Sequence, residues 1–174
     1  LAFAKGGAGT AAVCPPKEIL EDAIRIGAAG SAADLSIHVS EGTDPVLVDR
    51  AQILQVFQNL VINALQAMPP APHRARVQIR ANNIAIADQQ VPGLAAGDYV
   101  EFEVRDNGSG IKPEHVDRIF DPFFTTRKHG TGLGLAVSYG IVKAHRGAIT
   151  VASNADPAAG PTGTTFTVRL PRAA

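Results

Sequence analysis

Residues 104–135 constrain the fold of this chain more than any other segment. They begin with a strand end that carries an aspartate, Asp106, and they close with the glycine-rich run Gly130-Thr-Gly-Leu-Gly-Leu135. Between the two lie a short polar stretch typical of a helix and the aromatic run Phe120-Asp-Pro-Phe-Phe124. The segment therefore pairs a carboxylate at a strand end with a loop that can hold phosphate groups.

The direction of the Asp106 side chain follows from the period of the strand before it. Apolar and charged residues alternate there, so the aspartate shares the side of Phe102 and Val104. Asp106 is predicted to point inward, where an ionised carboxylate costs several kcal/mol unless donors satisfy it. Gly108 and Gly110 allow a planar group to approach the backbone closely. The alternative is an ordinary turn aspartate in a hairpin.

The glycine run opens a predicted helix. The apolar pattern after it ends in a basic turn followed by Gly147, which is typical of a helix C-terminus. Glycines at a helix N-terminus leave backbone N–H groups free, and the positive end of the helix dipole adds to a phosphate cradle. The run lacks the lysine of a P-loop, and it follows a polar segment where a dinucleotide fold would place a strand.

Composition places limits on the partners of this chain. A length of 174 residues with 45% apolar content is enough for one domain with a core, and sixteen basic residues balance sixteen acidic ones. We therefore expect no nucleic-acid partner and no direct membrane contact. The single cysteine, Cys14, and the lack of a signal-peptide pattern favour a cytoplasmic location. Because the chain begins at Leu1 and Met68 is its one methionine, we expect a fragment of a longer protein.

The remaining elements follow from hydrophobic period and from glycine and proline. Residues 1–16 are interpreted as the tail of an earlier element plus a linker, and residues 17–174 as the folded domain. Helices are predicted from about residue 17 to 27 and from 49 to 68, the second opened by a capping box at Asp49 and Gln52 and closed by Pro69-Pro70. Strands are predicted at residues 35–39, 46–48, 76–87, 98–106, 148–152 and 164–170.

The longest predicted helix shows only amides on one face and apolar residues on the other. The amide residues are Gln52, Gln55, Asn59, Asn63 and Gln66. Asparagine is a poor residue inside a helix, and a solvated face usually carries lysine and glutamate. Neutral amide oxygens can ligate Mg²⁺ without repelling phosphates, so this face is a candidate cation site. The alternative is a solvated helix face.

A hydroxyl joins the carboxylate on the buried side of the sheet. In the last predicted strand Thr164 has the parity of the apolar residues, so it also faces inward. Asp106 and Thr164, each at a strand end, could together recognise the polar edge of a base.

Five motifs in order resemble the N, G1, F, G2 and G3 boxes of sensor histidine kinases. They are Asn59-Leu-Val-Ile-Asn63-Ala, Asp106-Asn-Gly-Ser-Gly110, Phe120-Asp-Pro-Phe-Phe124, Gly130-Thr-Gly-Leu-Gly-Leu135 and Gly163-Thr-Thr165. The resemblance covers about residues 17–172. It implies the catalytic and ATP-binding domain of a two-component kinase with the GHKL-type fold. That fold is an α/β two-layer sandwich, with a mixed, mostly antiparallel sheet of about five strands covered on one face by three main helices.

The resemblance also implies roles for individual residues. Asp106 accepts from the adenine amino group, Thr164 supports it through water, Asn63 ligates Mg²⁺ with Asn59 alongside, and residues 120–131 form a mobile ATP lid, here called the lid segment. The implied ligand-binding set is Asn59, Asn63, Gln66, Ala67, Asp106, Gly108, Gly110, Ile111, Phe120, Gly130, Thr131, Gly132, Leu133, Gly134, Leu135 and Thr164.

Two departures from the family pattern stand out. Many of these kinases carry a lysine after the second N-box asparagine, where this chain has Gln66, so a phosphate contact is expected to move to Arg127 or Lys128. The alternative for that pair is a solvated basic turn. The dimerisation helices with the phosphoacceptor histidine are missing, and residues 1–5 resemble the tail of the second helix. His129 is interpreted as a surface residue of the lid segment.

The expected reaction is phosphoryl transfer from Mg·ATP to a histidine on the dimerisation domain of the same protein, with Arg127, Lys128 and Asn59 as catalytic candidates. A response-regulator receiver domain is the expected downstream partner. A second hypothesis is an ATPase of the chaperone or mismatch-repair kind, but those place a glutamate where Asn59 stands. A third is a module that binds nucleotide or a protein without chemistry.

Overall fold

A five-stranded mixed sheet forms one layer of the computed structural model, which describes residues 10–68 and 74–174. The chain has seven strands: β1 (Ala12–Cys14), β2 (Asp34–Val39), β3 (Val46–Val48), β4 (Arg76–Ile86), β5 (Gly97–Asp106), β6 (Ala148–Asn154) and β7 (Gly163–Pro171). The five-stranded sheet has the order β2-β4-β5-β7-β6, with β2 parallel to β4 and the other neighbours antiparallel, and β1 and β3 form a separate pair.

Helices form the second layer, on one face of the sheet. They are α1 (Pro16–Gly27), α2 (Arg50–Gln66), the short α3 (Pro113–Val116) and α4 (Gly134–Ala144). Phe57 of α2 packs on Phe102 of β5 with ring centroids 4.9 Å apart, and both side chains are fully buried. The predicted two-layer sandwich is confirmed. Within residues 10–68 and 74–174, no helix is both long enough and apolar enough to cross a membrane.

The other face of the sheet is open and polar. A shallow depression of about 570 Å³ lies there, and its lining includes Ser36, His38, Gln78 and Arg80. These side chains belong to the outward half of the strand alternation, so they form a solvated face.

The folded part begins earlier than predicted. The sequence predicts that the domain starts near Lys17, but Cys14 is buried and β1 pairs antiparallel with β3, with Ala12 opposite Val48. A three-residue strand in an alanine- and glycine-rich stretch has no detectable period, and its partner lies more than thirty residues away. The interpretation of residues 1–5 as a helix tail lies outside the described residues, as do Pro69 and Pro70.

The predicted cap of α2 forms, but only one half of the capping box does. The Asp49 carboxylate accepts from the Gln52 backbone N–H at 3.2 Å. The Asp49 N–H donates instead to Nε2 of His145, 3.0 Å away, at the end of α4. Nδ1 of the same ring lies 2.8 Å from the Ile141 carbonyl oxygen, so the proton is on Nδ1. His145 thus connects the end of α4 to the start of α2.

Replacing His145 by alanine should lower the free energy of unfolding by about 1–2 kcal/mol, because the half-buried Asp49 N–H loses its acceptor. Urea unfolding followed by circular dichroism measures this. His38→Ala, on the exposed face of β2, is the matched control and should change the value by less than about 0.5 kcal/mol. Equal losses in the two variants would contradict the bridging role.

Candidate functional site

A cavity of about 790 Å³ lies between α2, the end of β5, the lid segment and the start of α4. It brings together most of the residues that the sequence singles out. Those in its lining are Asn59, Asn63, Gln66, Ala67, Asp106, Gly110, Ile111, Arg127, Gly130, Thr131, Gly132, Gly134, Leu135 and Thr164.

Four other candidates lie outside this lining. Gly108 is directly behind the site, because its N–H donates to Asp106. Phe120 is half-buried against the core, and its ring centroid lies 5.5 Å from that of the exposed Tyr139. Leu133 precedes the first residue of α4, and Lys128 is exposed. Gln52 and Gln55 of the amide face are likewise absent from the lining.

Asp106 is buried, as the strand period predicts, with 6% of its surface exposed. Its Oδ1 accepts from the backbone N–H groups of Gly108 at 2.8 Å and Thr164 at 3.2 Å. Among the described residues no group donates a hydrogen bond to Oδ2. Every fully buried side-chain oxygen in this part of the chain has a hydrogen-bond partner, so Oδ2 is not fully buried and faces the cavity that Asp106 lines. Desolvation raises the pKa of Asp106, although the two N–H donors and the charge of Arg127 oppose the shift.

A serine outside the predicted set, Ser153, supports this end of the cavity. The hydroxyl of Ser153 lies 2.8 Å from the Thr164 hydroxyl and accepts from the Ile111 backbone N–H at 2.8 Å. Ser153 thus joins β6, β7 and the segment after Gly110. Ser153 shares the inward parity of Ile149 and Val151, so the strand period signals its direction, but the predicted strand ends at residue 152 while β6 continues to Asn154.

The lid segment folds back on the glycine loop. The Phe123 N–H donates to the Gly132 carbonyl oxygen at 2.9 Å. A Cβ on Gly132, whose φ is +69°, would lie 2.4 Å from the Phe123 carbonyl carbon, so only glycine fits there. Phe123 itself has a φ of +67°, and 71% of its surface is exposed. The segment is therefore held by its backbone while an apolar ring points outward.

Asn59 connects α2 to the start of α4. Its amide group donates to the Gly134 carbonyl oxygen at 3.2 Å and to the buried hydroxyl of Ser138 at 3.3 Å. Ser138 is not among the predicted site residues, although a serine inside an apolar helix is a detectable signal. The contacts give Asn59 a role in positioning the start of α4, and they use only the nitrogen of its amide group.

Asn63 presents a side-chain oxygen that already accepts from a cation. Its Oδ1 is 2.9 Å from Nη1 of Arg127. A neutral amide oxygen in such a position suits a hard divalent ion such as Mg²⁺. In the described part of the chain no group of three or more His, Cys, Asp or Glu residues could hold a metal ion.

The glycine loop, the strand-end carboxylate and the helices on one face of a mixed sheet define a class: a nucleotide-binding ATPase domain. Residues 48–174 match the family of histidine kinase-, DNA gyrase B- and HSP90-like ATPases, and the chain belongs to this family.

Relatives of this chain include sensor histidine kinases. It is 40% identical over 146 residues to the sensor kinase CckA of Brucella abortus (strain 2308), a match that covers 80% of this chain and 15% of that protein. It is 37% identical over 159 residues to the sensor protein FixL of Bradyrhizobium diazoefficiens, covering 90% of this chain and 28% of that protein. The chain thus spans less than a third of the length of either relative.

Solved structures agree with these matches. A mycobacterial sensor histidine kinase, MprB, superposes with a TM-score of 0.69 at 29% identity, covering 90% of this chain and 95% of that one. The chain is therefore an ATP-binding catalytic domain of the sensor histidine kinase type found in two-component signalling.

Proposed function

We propose that this domain transfers the γ-phosphoryl group of ATP to a histidine on a dimerisation domain of the same protein. The acid–base character of the cavity carries the proposal. Asp106 is the one carboxylate among the described lining residues, and two backbone N–H groups hold its Oδ1. Asn59, a neutral amide, stands beside Gly134 at the glycine-loop end.

This arrangement favours transfer to an external acceptor over hydrolysis. Activation of water needs a base, and an amide at position 59 is too weak to serve as one. A neutral imidazole has a free nitrogen lone pair and can attack the γ-phosphorus without a base in this domain. The nitrogen–phosphorus bond forms as the bond to the bridging oxygen breaks, and ADP leaves with that electron pair.

The residues at the base end bind and orient. Asp106 would accept a hydrogen bond from the adenine amino group through Oδ2, and Thr164 would support it through water. Guanine has a carbonyl oxygen where adenine has its amino group. Two acceptors, that oxygen and the desolvated Asp106 carboxylate, would then face each other, so adenine is favoured.

The residues at the phosphate end neutralise charge. Asn63, with Asn59 beside it, would ligate Mg²⁺, which supplies charge neutralisation at the phosphates. The loop at residues 130–135 would donate backbone N–H groups. Arg127, with Lys128 next to it, would stabilise the negative charge that develops on the phosphate oxygens during transfer.

The partners proposed for the whole protein follow from this reaction. They are ATP, the acceptor-histidine dimerisation domain and a response-regulator receiver domain. We place the domain in the cytoplasm, because a single cysteine fits a reducing compartment. We expect no direct contact with membrane or nucleic acid, because its sixteen basic and sixteen acidic residues balance.

The chain alone should hydrolyse ATP slowly or not at all, because Asn59 stands where a water-activating base would be needed. It should not label itself with γ-³²P-ATP, because the proposed acceptor histidine belongs to the dimerisation domain. Adding a separately made helical-hairpin dimer with the acceptor histidine should produce acid-labile phosphate on that dimer. The control is the same dimer with its histidine changed to alanine. Acid-labile phosphate on a histidine of this chain would contradict the proposal, and so would rapid release of inorganic phosphate without the dimer.

A further inference from the structure

The lid segment is attached to the end of α2 through one guanidinium. Nη1 of Arg127 lies 2.5 Å from Oε1 of Gln66 and 2.9 Å from Oδ1 of Asn63. Nη2 lies 3.2 Å from the Asn63 carbonyl oxygen. Three oxygens from the last turn and a half of α2 therefore hold a cation that comes from 61 residues further along the chain.

Electrostatics favour a cation at this place. The last turn of α2 contains no basic residue, although the carbonyl end of a helix carries partial negative charge. Arginine suits the position because its planar fork donates to several acceptors at once. The neighbouring Lys128 is exposed and is absent from the cavity lining. The hydrogen bonds that join the lid segment to the end of α2 therefore come from the guanidinium of Arg127.

We propose that Gln66 is a positioning residue that acts through Arg127. Its amide oxygen remains available to the guanidinium when Asn63 Oδ1 ligates Mg²⁺, so Gln66 holds Arg127 at the mouth of the cavity. The cation that contacts the phosphate chain of ATP then comes from the lid segment and not from α2. This rests on the proposed function, because it places the phosphates at this end of the cavity. A basic side chain at position 66 would repel Arg127. The neutral Gln66 is therefore needed for the guanidinium to lie at the end of α2.

The nucleotide-free protein provides the first test, through cleavage after Arg127 by an arginine-specific protease. Gln66→Ala should be cut about tenfold faster, since the loss of a charge-assisted hydrogen bond raises the open population of the lid segment. Gln66→Glu keeps an acceptor oxygen and should be cut no faster than the wild type. Gln55→Ala, an exposed glutamine of the same helix outside the cavity, is the matched control. Equal cleavage of Gln66→Ala and wild type would overturn the proposal.

Calorimetry with ATP and ADP provides the second test. Gln66→Ala and Arg127→Ala should each lower the ratio of ATP to ADP affinity about tenfold, because only ATP carries the γ-phosphate. The double variant should lose no more than Arg127→Ala alone, since each change removes the same interaction. Losses that multiply in the double variant would show independent roles and would overturn the proposal.

A charge transfer between the two positions provides the third test. Gln66→Lys combined with Arg127→Ala puts the cation on α2 and should recover most of the ATP-to-ADP ratio that Arg127→Ala loses. Failure to recover it would mean that position 66 cannot replace Arg127 as the origin of the cation, against the proposal.

ATP binding by Asp106→Asn distinguishes a wrong site from a wrong pairing of Gln66 with Arg127. If Asp106→Asn binds ATP as the wild type does, the proposed site is wrong. If Asp106→Asn loses binding while the affinity losses of Gln66→Ala and Arg127→Ala multiply, only the pairing of Gln66 with Arg127 is wrong. Thermal unfolding of every variant separates both outcomes from loss of the fold.

Discussion

Changing Asp106 to asparagine should lower ATP affinity by at least about 100-fold and leave the fold intact. Both backbone donors, Gly108 and Thr164, bond to Oδ1, and an asparagine Oδ1 can accept from them in the same way. The asparagine NH₂ would then replace Oδ2 in the cavity. It would meet the adenine amino group donor to donor, and an unpaired buried donor costs about 1–3 kcal/mol beyond the lost charge-assisted bond. Calorimetry with ATP measures the loss.

The stability of Asp106→Asn should not fall with its ATP affinity. Because burial raises the pKa of Asp106, the folded chain binds this proton more readily than the unfolded chain. Protonated Asp106 therefore adds to the free energy of unfolding below the pKa that it has in the unfolded chain. This contribution is lost as the pH rises through the higher pKa of the folded chain. At neutral pH the carboxylate therefore costs stability, and Asp106→Asn should unfold at an equal or higher temperature.

Two comparisons make this prediction specific. The wild type should bind ATP much more tightly than GTP, and the exposed Asp88→Asn should change neither affinity nor stability. Equal affinity of the wild type for ATP and GTP would show that Asp106 does not recognise the base. A large fall in the unfolding temperature of Asp106→Asn would instead make its role structural.

Replacing Gly110 by alanine should destabilise the fold by about 2–4 kcal/mol and abolish nucleotide binding. Its φ is +74°, which an L side chain rarely adopts, and a Cβ there would lie 2.0 Å from the Asn154 carbonyl oxygen. Strain in the left-handed region and overpacking each cost about 1–3 kcal/mol. The backbone of β6 must then shift, and it carries Ser153, which orients Thr164. Denaturant unfolding measures the loss.

Gly140 is the matched control for this glycine. It lies inside α4, and an added Cβ would meet nothing within 4 Å. Gly140→Ala should therefore stabilise the protein by about 0.5–1 kcal/mol through helix propensity. If both variants lose stability equally, close packing at Gly110 is not the cause.

The sequence alone determined the direction of the site residues. Alternation along β5 and β7 placed Asp106 and Thr164 on the buried side, where the structure has them 6% and 4% exposed. Helical period placed Asn59 and Asn63 on one face of α2, and both line the cavity. These predictions succeeded because the face that a residue occupies depends on local backbone geometry, which has a fixed period.

Only the tertiary structure decided which of those residues meet. The hydrogen bond from Asp49 to His145 spans 96 residues, and the bond from Arg127 to Asn63 spans 64. The pairing of β1 with β3 is likewise invisible in a three-residue segment without a period. Such contacts depend on where the chain returns after folding around its core, and no local pattern encodes that distance. The sequence marked Gln66 as a departure, and the fold gave it Arg127 as a partner.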